Sequence, residues 1–479
     1  MTPIKAALLA SLERYFGFTA AFVTSIIISR LLTPAEVGTF SVAMAITGLA
    51  GVIREFGAAS YLIRSPTITE RHESCAFGLS LLLGWGIGGL LLLVAPLISS
   101  LFNNQGVTPI LQLLCLNFFI VPFGTVQSSL LQRSMRFDVL TRIGIACAFV
   151  SMTTTITLAW LGFGPYALAI GAISLTATAS VLSILLGPSP WFRMPRLRGS
   201  RELLTFGLQN TGLSMIWEIN GRFPDFIIGQ AAGMHAAGLL SRASSLASSV
   251  NDLLMKGIGA IALPYLSQVQ RDSGKASEAH LRMASIVTSL GVPLFATLAY
   301  LAPDITVLLY GEKWLEMTTC LRLLCLMYFI SLPFSFQIQL IIAKGFLKTQ
   351  LRASLILLPI RLLTITASAH YGGLNGMAIG IILSQILGVI IGSIMVWPSI
   401  EVTWRDYIKV LIENRIIILA TVSAVLISEA LLAQIKQNNI ITVLLYSTTL
   451  SLILFPAFIY SKHPLYTHIK NLYTKYNAK

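Results

Sequence analysis

The chain has 479 residues, of which 55% are hydrophobic and only 11% are charged. Soluble domains carry about a quarter charged residues, so the composition excludes an ordinary soluble protein and predicts an integral membrane protein. Apolar runs of about 20 residues without alternating polarity favour membrane-crossing helices over a β-barrel. The net charge of +14 is better explained by basic cytoplasmic loops than by nucleic-acid binding.

Fourteen membrane spans are predicted in chain order, and their approximate bounds are 15–33, 37–60, 75–100, 108–132, 142–161, 165–187, 203–222, 237–263, 284–302, 318–343, 353–369, 374–397, 415–433 and 440–460. The chain start lacks a compact apolar region, so we expect no cleavable signal peptide. Arg and Lys gather in the loops after every even-numbered span up to the twelfth. This alternation predicts that both termini are cytoplasmic.

Two segments of the chain occur twice. The sequence from Leu111 to Phe123 resembles that from Leu321 to Phe334, and Ala167–Gly171 resembles Gly376–Gly380. Internal repeats in an apolar polytopic protein are typical of transporters. We therefore predict an all-α polytopic membrane protein of about 14 helices. Two parallel six-helix repeats would be related by a pseudo-twofold axis along the membrane normal, with two further helices at the C-terminus.

The repeats define the expected domains. An N-terminal lobe covers 1–187, a basic cytoplasmic inter-lobe linker 188–202, and a C-terminal lobe 203–397. The remainder, 398–479, holds a cytoplasmic loop, helices 13 and 14 and a basic cytoplasmic tail.

Ionisable residues lie inside several predicted spans, where a charge at the bilayer centre costs about 2.5–3.5 kcal/mol. On span 8 the polar residues recur every three or four positions and share one helix face. The cations predicted to bind substrate in a water-filled cavity are Arg30, Arg54, Arg222, Arg242 and Lys256. The acids that would couple an ion or balance charge are Glu218, Asp225 and Asp252.

A purely structural interpretation of the same charges stays open. Asp252 could neutralise Lys256, Arg222 could neutralise Asp225, and Arg30 could reach the outer interface. Under the functional interpretation the excess of cations attracts a phosphate or carboxylate, which Arg grips with two hydrogen bonds.

No catalytic motif occurs in the sequence. The chain has no GxxxxGK[ST], HExxH or GxSxG pattern, and its five cysteines lie in or beside apolar runs without CxxC spacing. We therefore expect no enzyme activity, no metal and no cofactor, although H⁺ or Na⁺ coupling fits the acids. The glycine-rich Gly84–Gly89 lies in span 3 and predicts close helix packing.

The chain resembles the Wzx-type oligosaccharide flippases, in the branch of the colanic-acid exporter. The matching pieces are Arg54–Arg64 (REFGAASYLIR), Leu263–Asp272 (LPYLSQVQRD), Tyr310–Trp314 (YGEKW), Leu321–Cys325 (LRLLC) and Ser461–Leu465 (SKHPL).

This resemblance implies the fold of the multidrug/oligosaccharidyl-lipid/polysaccharide exporters, in which two six-helix bundles form a V. It also implies that undecaprenyl-diphosphate-linked oligosaccharide repeat units are flipped to the periplasmic leaflet of the bacterial inner membrane, for O-antigen, capsule or exopolysaccharide synthesis. In related flippases, cavity arginines bind the diphosphate, and Arg30 and Arg54 are nearest to these by position. Spans 13 and 14 would border a groove for the lipid tail. A polysaccharide polymerase and a chain-length regulator are the implied partners, besides membrane lipids.

Two alternatives to flipping stay open. A drug or cation antiporter of the same fold would need acids at the cavity centre, where cations dominate here. A membrane-embedded glycosyl or polyprenyl transferase, or a polymerase, would need acidic motifs or large loops, and the longest loop here has about 20 residues.

Overall fold

The computed structural model describes residues 3–65, 67–189, 194–195, 201–432 and 439–460. Throughout these ranges the chain forms helices joined by turns, with no strand. The α-helices are α1 (Pro3–Leu31), α2 (Pro34–Glu55), α3 (Ala58–Arg64), α4 (Glu70–Ser100), α5 (Val107–Arg133), α6 (Phe137–Trp160), α7 (Pro165–Leu186), α8 (Arg201–Ser273), α9 (Ala276–Tyr300), α10 (Ala302–Leu309), α11 (Thr318–Ser331), α12 (Gln337–Lys344), α13 (Leu347–Met395), α14 (Trp397–Ile400), α15 (Trp404–Glu413), α16 (Arg415–Leu432) and α17 (Asn439–Tyr460). Two 3-10 helices, Glu312–Met317 and Leu332–Phe334, flank α11.

Eight helical stretches of the described residues are long and apolar enough to cross a membrane. They are α2, α4, α5, α6, α7, α9, the stretch Glu312–Lys344 and α13. A ninth is formed if α15 and α16, which are bent by 54° against each other, make one span. The prediction of a helical, polytopic membrane protein is therefore confirmed, whereas the number fourteen stays a prediction.

Two long helices each contain a pair of predicted spans. α8 holds spans 7 and 8 and breaks at Gly233, where φ is 81° and ψ is 177°. α13 holds spans 11 and 12 and breaks at Gly373, where φ is 54° and ψ is −134°. These positive φ values favour glycine. A single glycine therefore makes each connection that sequence patterns place in a loop.

The turns before the second repeated segment share a backbone conformation. Gly164 has φ 53° and ψ −133°, and Gly373 has almost the same pair of angles. Three residues later, Ala167–Gly171 and Gly376–Gly380 begin. Gly171 fits against Thr155 of α6, and Gly380 against Ser368 of the preceding arm of α13. The halves therefore agree in local structure here, while their complete symmetry stays a prediction.

The first repeated segment keeps its buried positions but not its helix. Leu114 and Cys115 of α5, like Leu324 and Cys325 of α11, are almost fully buried. α5 continues through Pro122, whereas α11 ends before Pro333 and the chain passes through a 3-10 turn into α12. A proline removes one helical hydrogen bond in either place, and only the second copy breaks.

The glycine-rich part of α4 packs against α5, as predicted. A Cβ atom on Gly84 would lie 2.6 Å from the carbonyl oxygen of Phe118, and one on Gly88 would lie 2.9 Å from Phe118 Cβ. Gly86 and Gly89 have nothing within 4 Å of the same position. The spacing of four places the contacting pair on one face, so the helices can approach closely.

Contacts divide the chain into two compact units, Met1–Ser241 and Arg242–Lys479. In the first unit α4 packs with α5, α6 with α7, and α1 with α6. In the second unit α11 packs with α9 and α13, and α16 packs with α17. The predicted lobes divide instead at 188–202, most of which lies outside the described residues. Those boundaries therefore stay a prediction.

Candidate functional site

Helix α2 carries Arg54 near its C-terminal end. Its start is fixed by Pro34 in the first turn and by Thr33, whose backbone N–H donates to Glu36 Oε2 at 2.7 Å. At the other end, the Arg54 guanidinium lies 5.3 Å from the centre of the Phe118 ring of α5. Arg54 is half-buried. The arginine therefore combines an aromatic contact with partial access to solvent.

The first arm of α8 carries the predicted charges Glu218, Arg222 and Asp225. Arg222 donates through Nε to Glu218 Oε1 at 3.0 Å, and the two side chains are 40% and 30% exposed. Arg222 also interacts electrostatically with Asp225. The spacings of four and three residues put both acids beside the arginine on one helix face. The ion pair of Arg222 is thus made with Glu218, whereas its predicted partner Asp225 interacts with it only electrostatically.

Gly48 lets α2 approach the Glu218–Arg222 ion pair of α8 closely. A Cβ atom at this position would lie 2.7 Å from Glu218 Oε1 and 3.4 Å from Arg222 Nε. By contrast, nothing lies within 4 Å of the same position at Gly51. The Glu218–Arg222 ion pair is therefore seated against α2 at Gly48, six residues before Arg54.

A tight crossing of α2 and α8 lies near the start of α2. The backbones meet at Gly38 and Gly238, where a Cβ atom on either glycine would collide with the facing helix. Next to them Ser41 Oγ donates to Ser241 Oγ at 2.7 Å. Small residues allow such a close crossing. All four residues belong to the first unit.

The second unit holds the remaining predicted charges of α8. Arg242 is only 9% exposed, and its guanidinium lies 5.9 Å from the Trp314 ring centre. Asp252 is half-buried and interacts electrostatically with Tyr328. The side chain of Lys256 lies outside the described residues. The structure therefore surrounds Arg242 with protein, while its role in binding stays a prediction.

Arg30 lies in the last turn of α1 and is exposed. The residues that sequence patterns missed are Gly48 and Phe118, because their roles depend on a second helix. Phe118 follows the repeated Leu114–Cys115 pair by one turn, and that position was the available signal.

Residues 27–319 match the protein family described as polysaccharide biosynthesis protein. The chain is 23% identical over 394 residues to the lipopolysaccharide biosynthesis protein WzxC of Escherichia coli (strain K12), and this alignment covers 80% of the chain and 78% of WzxC.

Solved structures share the fold. The lipid II flippase MurJ in its inward closed conformation has a TM-score of 0.73 and 14% identity, covering 96% of this chain and 99% of MurJ. The inward-facing multidrug resistance MATE transporter of the MOP superfamily has a TM-score of 0.58 and 20% identity, covering 81% of this chain and 96% of its own. The predicted all-α polytopic fold is therefore confirmed, while the fourteen spans and the repeat symmetry stay predictions.

Proposed function

Since this chain belongs to the polysaccharide biosynthesis protein family, we propose that it flips undecaprenyl-diphosphate-linked oligosaccharide repeat units from the cytoplasmic to the periplasmic leaflet of the bacterial inner membrane. The relative WzxC carries lipopolysaccharide biosynthesis in its name, and MurJ is named a lipid II flippase. The flipped unit serves the synthesis of a polysaccharide such as O-antigen, capsule or exopolysaccharide.

The observation that carries this proposal is the half-buried Arg54 on α2, the helix whose Gly48 contacts the Glu218–Arg222 pair. A diphosphate brings negative charge into the membrane region and needs a cation that holds two oxygens at once. Glu218 engages Arg222 in an ion pair at 3.0 Å, whereas Arg54 interacts only electrostatically with its neighbour Glu55, so Arg54 is the main diphosphate ligand. The Phe118 ring under Arg54 fixes the direction of the guanidinium.

The substrate moves by alternating access, and the protein itself breaks no covalent bond. The oligosaccharide passes through a polar path while the polyprenyl tail stays in lipid. We propose that the α2–α8 crossing at Gly38 and Gly238 lies at the periplasmic end of the path, since both termini are expected to be cytoplasmic. A polysaccharide polymerase and a chain-length regulator take over the flipped unit.

Two substitutions test the role of Arg54. In a strain that lacks its own copy of the gene, Arg54→Ala should lower polysaccharide export at least tenfold, because the diphosphate loses a paired hydrogen bond. Arg54→Lys should recover only part of it, since Lys cannot grip two oxygens in one plane. Export is measured as polysaccharide on the cell surface, and protein level by immunoblot.

Arg136→Ala is the matched control, because it removes an equally charged but exposed side chain before α6. It should export normally. Normal export by Arg54→Ala at normal protein level would contradict the assignment of Arg54. Loss of export without accumulation of the lipid-linked oligosaccharide would contradict flipping itself.

The antiporter alternative depends on an acid that can bind a cation. Glu218 is already engaged by Arg222 at 3.0 Å, which disfavours that use. Efflux of a cationic dye that depends on Glu218 or Asp252 would support the antiporter instead.

A further inference from the structure

Helix α15 divides its residues into three sectors of about 100° around the helix axis. Tyr407 and Val410 are 2% exposed and form the buried sector. Arg405, Lys409 and Glu413 are exposed and belong to the polar sector, as does Asp406, whose Oδ1 lies 3.7 Å from Lys409 Nζ. The third sector, called the apolar sector here, is exposed although its side chains are large and hydrophobic: Trp404 (48%), Ile408 (51%), Leu411 (38%) and Ile412 (49%).

Contacts within the second unit fix the direction in which α15 faces. Lys344 Nζ donates to the Ile400 carbonyl oxygen at 3.1 Å, just before α15. His280 Nε2 lies 3.2 Å from the Tyr407 hydroxyl, and the Phe334 and Tyr407 rings lie 4.7 Å apart. Because these contacts hold the buried sector, the apolar sector points away from the protein.

The apolar sector continues the outer face of α16. On α16 the exposed apolar residues Leu419, Val422 and Leu426 recur at helical spacing. Counting 3.6 residues per turn from Ile408, they fall in the same sector as the exposed apolar residues of α15. α16 is apolar between Arg415 at its start and Glu429 near its end, so the middle of this face meets hydrocarbon, and α15 leaves it at a bend of 54°.

The composition of α15 fits a phospholipid surface better than a protein partner. Tryptophan is enriched where the bilayer meets water, and basic residues beside an apolar helix face reach lipid phosphates. Trp404 begins the helix, and Arg405 and Lys409 flank the apolar sector. Both features stand next to a helix that already borders lipid.

We propose that α15 lies in the interface of the cytoplasmic leaflet, with its apolar sector among the phospholipid acyl chains and with Arg405 and Lys409 at headgroup level. The choice of leaflet depends on the proposed orientation. The lipid surface then holds the break between α11 and α12 at a fixed depth, because Phe334 in that break packs on Tyr407. The equivalent α5 has no break and needs no such support.

Spin labels on the two exposed sectors test the proposal. The five native cysteines are buried, so Ile408→Cys and the neighbouring control Lys409→Cys can be labelled selectively. The full chain is placed in phosphatidylethanolamine/phosphatidylglycerol nanodiscs. Collision with oxygen reports acyl chains, and collision with a nickel chelate reports water. Nanodiscs expose both faces, and no transport is measured, so the result does not depend on orientation or on flipping.

We expect the label at 408 to collide several-fold more with oxygen than with nickel, and the label at 409 to show the reverse. Ile412→Cys and Arg405→Cys should repeat this difference, which guards against one distorted variant. Equal nickel access at 408 and 409 would overturn the proposal, since the sector would then face water. Shielding of 408 from both reagents would also overturn it, because a second copy or another protein would then cover the sector.

Discussion

Gly48 is the residue at which α2 contacts the Glu218–Arg222 ion pair of α8. Alanine normally stabilises a helix by about 1 kcal/mol relative to glycine, so Gly48→Ala would be harmless on propensity alone. Here the added Cβ would lie 2.7 Å from Glu218 Oε1, and the carboxylate must move away. We expect export to fall several-fold, because the displaced Glu218 no longer holds Arg222 in place.

Gly51→Ala is the matched control, since nothing lies within 4 Å of its Cβ position. It should export as well as the unchanged protein. Both variants are compared by surface polysaccharide at equal protein level. If both export normally, the contact of Gly48 with the ion pair has no role in the cycle.

The partner of Arg222 shows what residue patterns can and cannot predict. Asp225 and Glu218 lie three and four positions away, and both spacings allow an ion pair. The Nε contact of 3.0 Å goes to Glu218, which the sequence assigned to ion coupling or charge balance. Spacing selects a helix face, whereas the side-chain rotamer and the neighbour at Gly48 select the partner.

At the scale of elements, the apolar runs predicted where the helices lie, because most residues of a membrane-crossing helix are either buried or face lipid. Glycines predicted less reliably where helices end. Gly233 and Gly373 break α8 and α13 without leaving the helical path for more than one residue. Patterns cannot separate a one-residue kink from a loop, since both need a glycine with positive φ.

The turn before α15 depends on an ion pair that is sensitive to acid. Lys344 Nζ lies 2.7 Å from Glu401 Oε2, with the lysine side chain 5% and the glutamate 78% exposed. The hydrogen bond from Lys344 lowers the pKa of Glu401. A lowered pKa stabilises the fold at pH values above the unfolded pKa, and this is lost as pH falls through the folded pKa.

Glu401→Gln should therefore lower the melting temperature at pH 7, because buried Lys344 loses its carboxylate. The difference from the unchanged protein should shrink as pH falls through the lowered folded pKa of Glu401, because its protonated carboxyl is then as uncharged as the glutamine side chain. Melting is followed by the circular dichroism of the detergent-solubilised protein.

Glu278→Gln provides the comparison for Glu401. Glu278 lies 3.8 Å from Lys275, and both side chains are more than half exposed. Exposed pairs contribute little, so this variant should melt like the unchanged protein at every pH. A Glu401→Gln difference that does not vary with pH would contradict the ion-pair explanation.

At the scale of the whole molecule, the two halves share local structure but not their charges. The twin turns at Gly164 and Gly373 match within about a degree. The charges do not follow the repeat. When the two halves are aligned with an offset of 200 residues, Arg54 of α2 corresponds to the uncharged Leu254. We expect two similar halves with different basic residues if only one half binds the head group of the substrate.

The transport cycle itself is tested at the α2–α8 crossing. Ser41 Oγ and Ser241 Oγ lie 2.7 Å apart, so cysteines at both positions meet the short separation that a disulfide requires. If the crossing must open to release the substrate, oxidation of Ser41→Cys/Ser241→Cys should stop export, and a reductant should restore it.

The single variants Ser41→Cys and Ser241→Cys are the controls, since neither can form the link with the buried native cysteines. Both should export under the same oxidant. The cross-linked fraction is measured by a shift in electrophoretic mobility after cleavage of the chain between the two positions. Full export by a completely cross-linked protein would show that α2 and α8 stay together throughout the cycle. The path would then have to open at another pair of helices, because alternating access requires each end to close in turn.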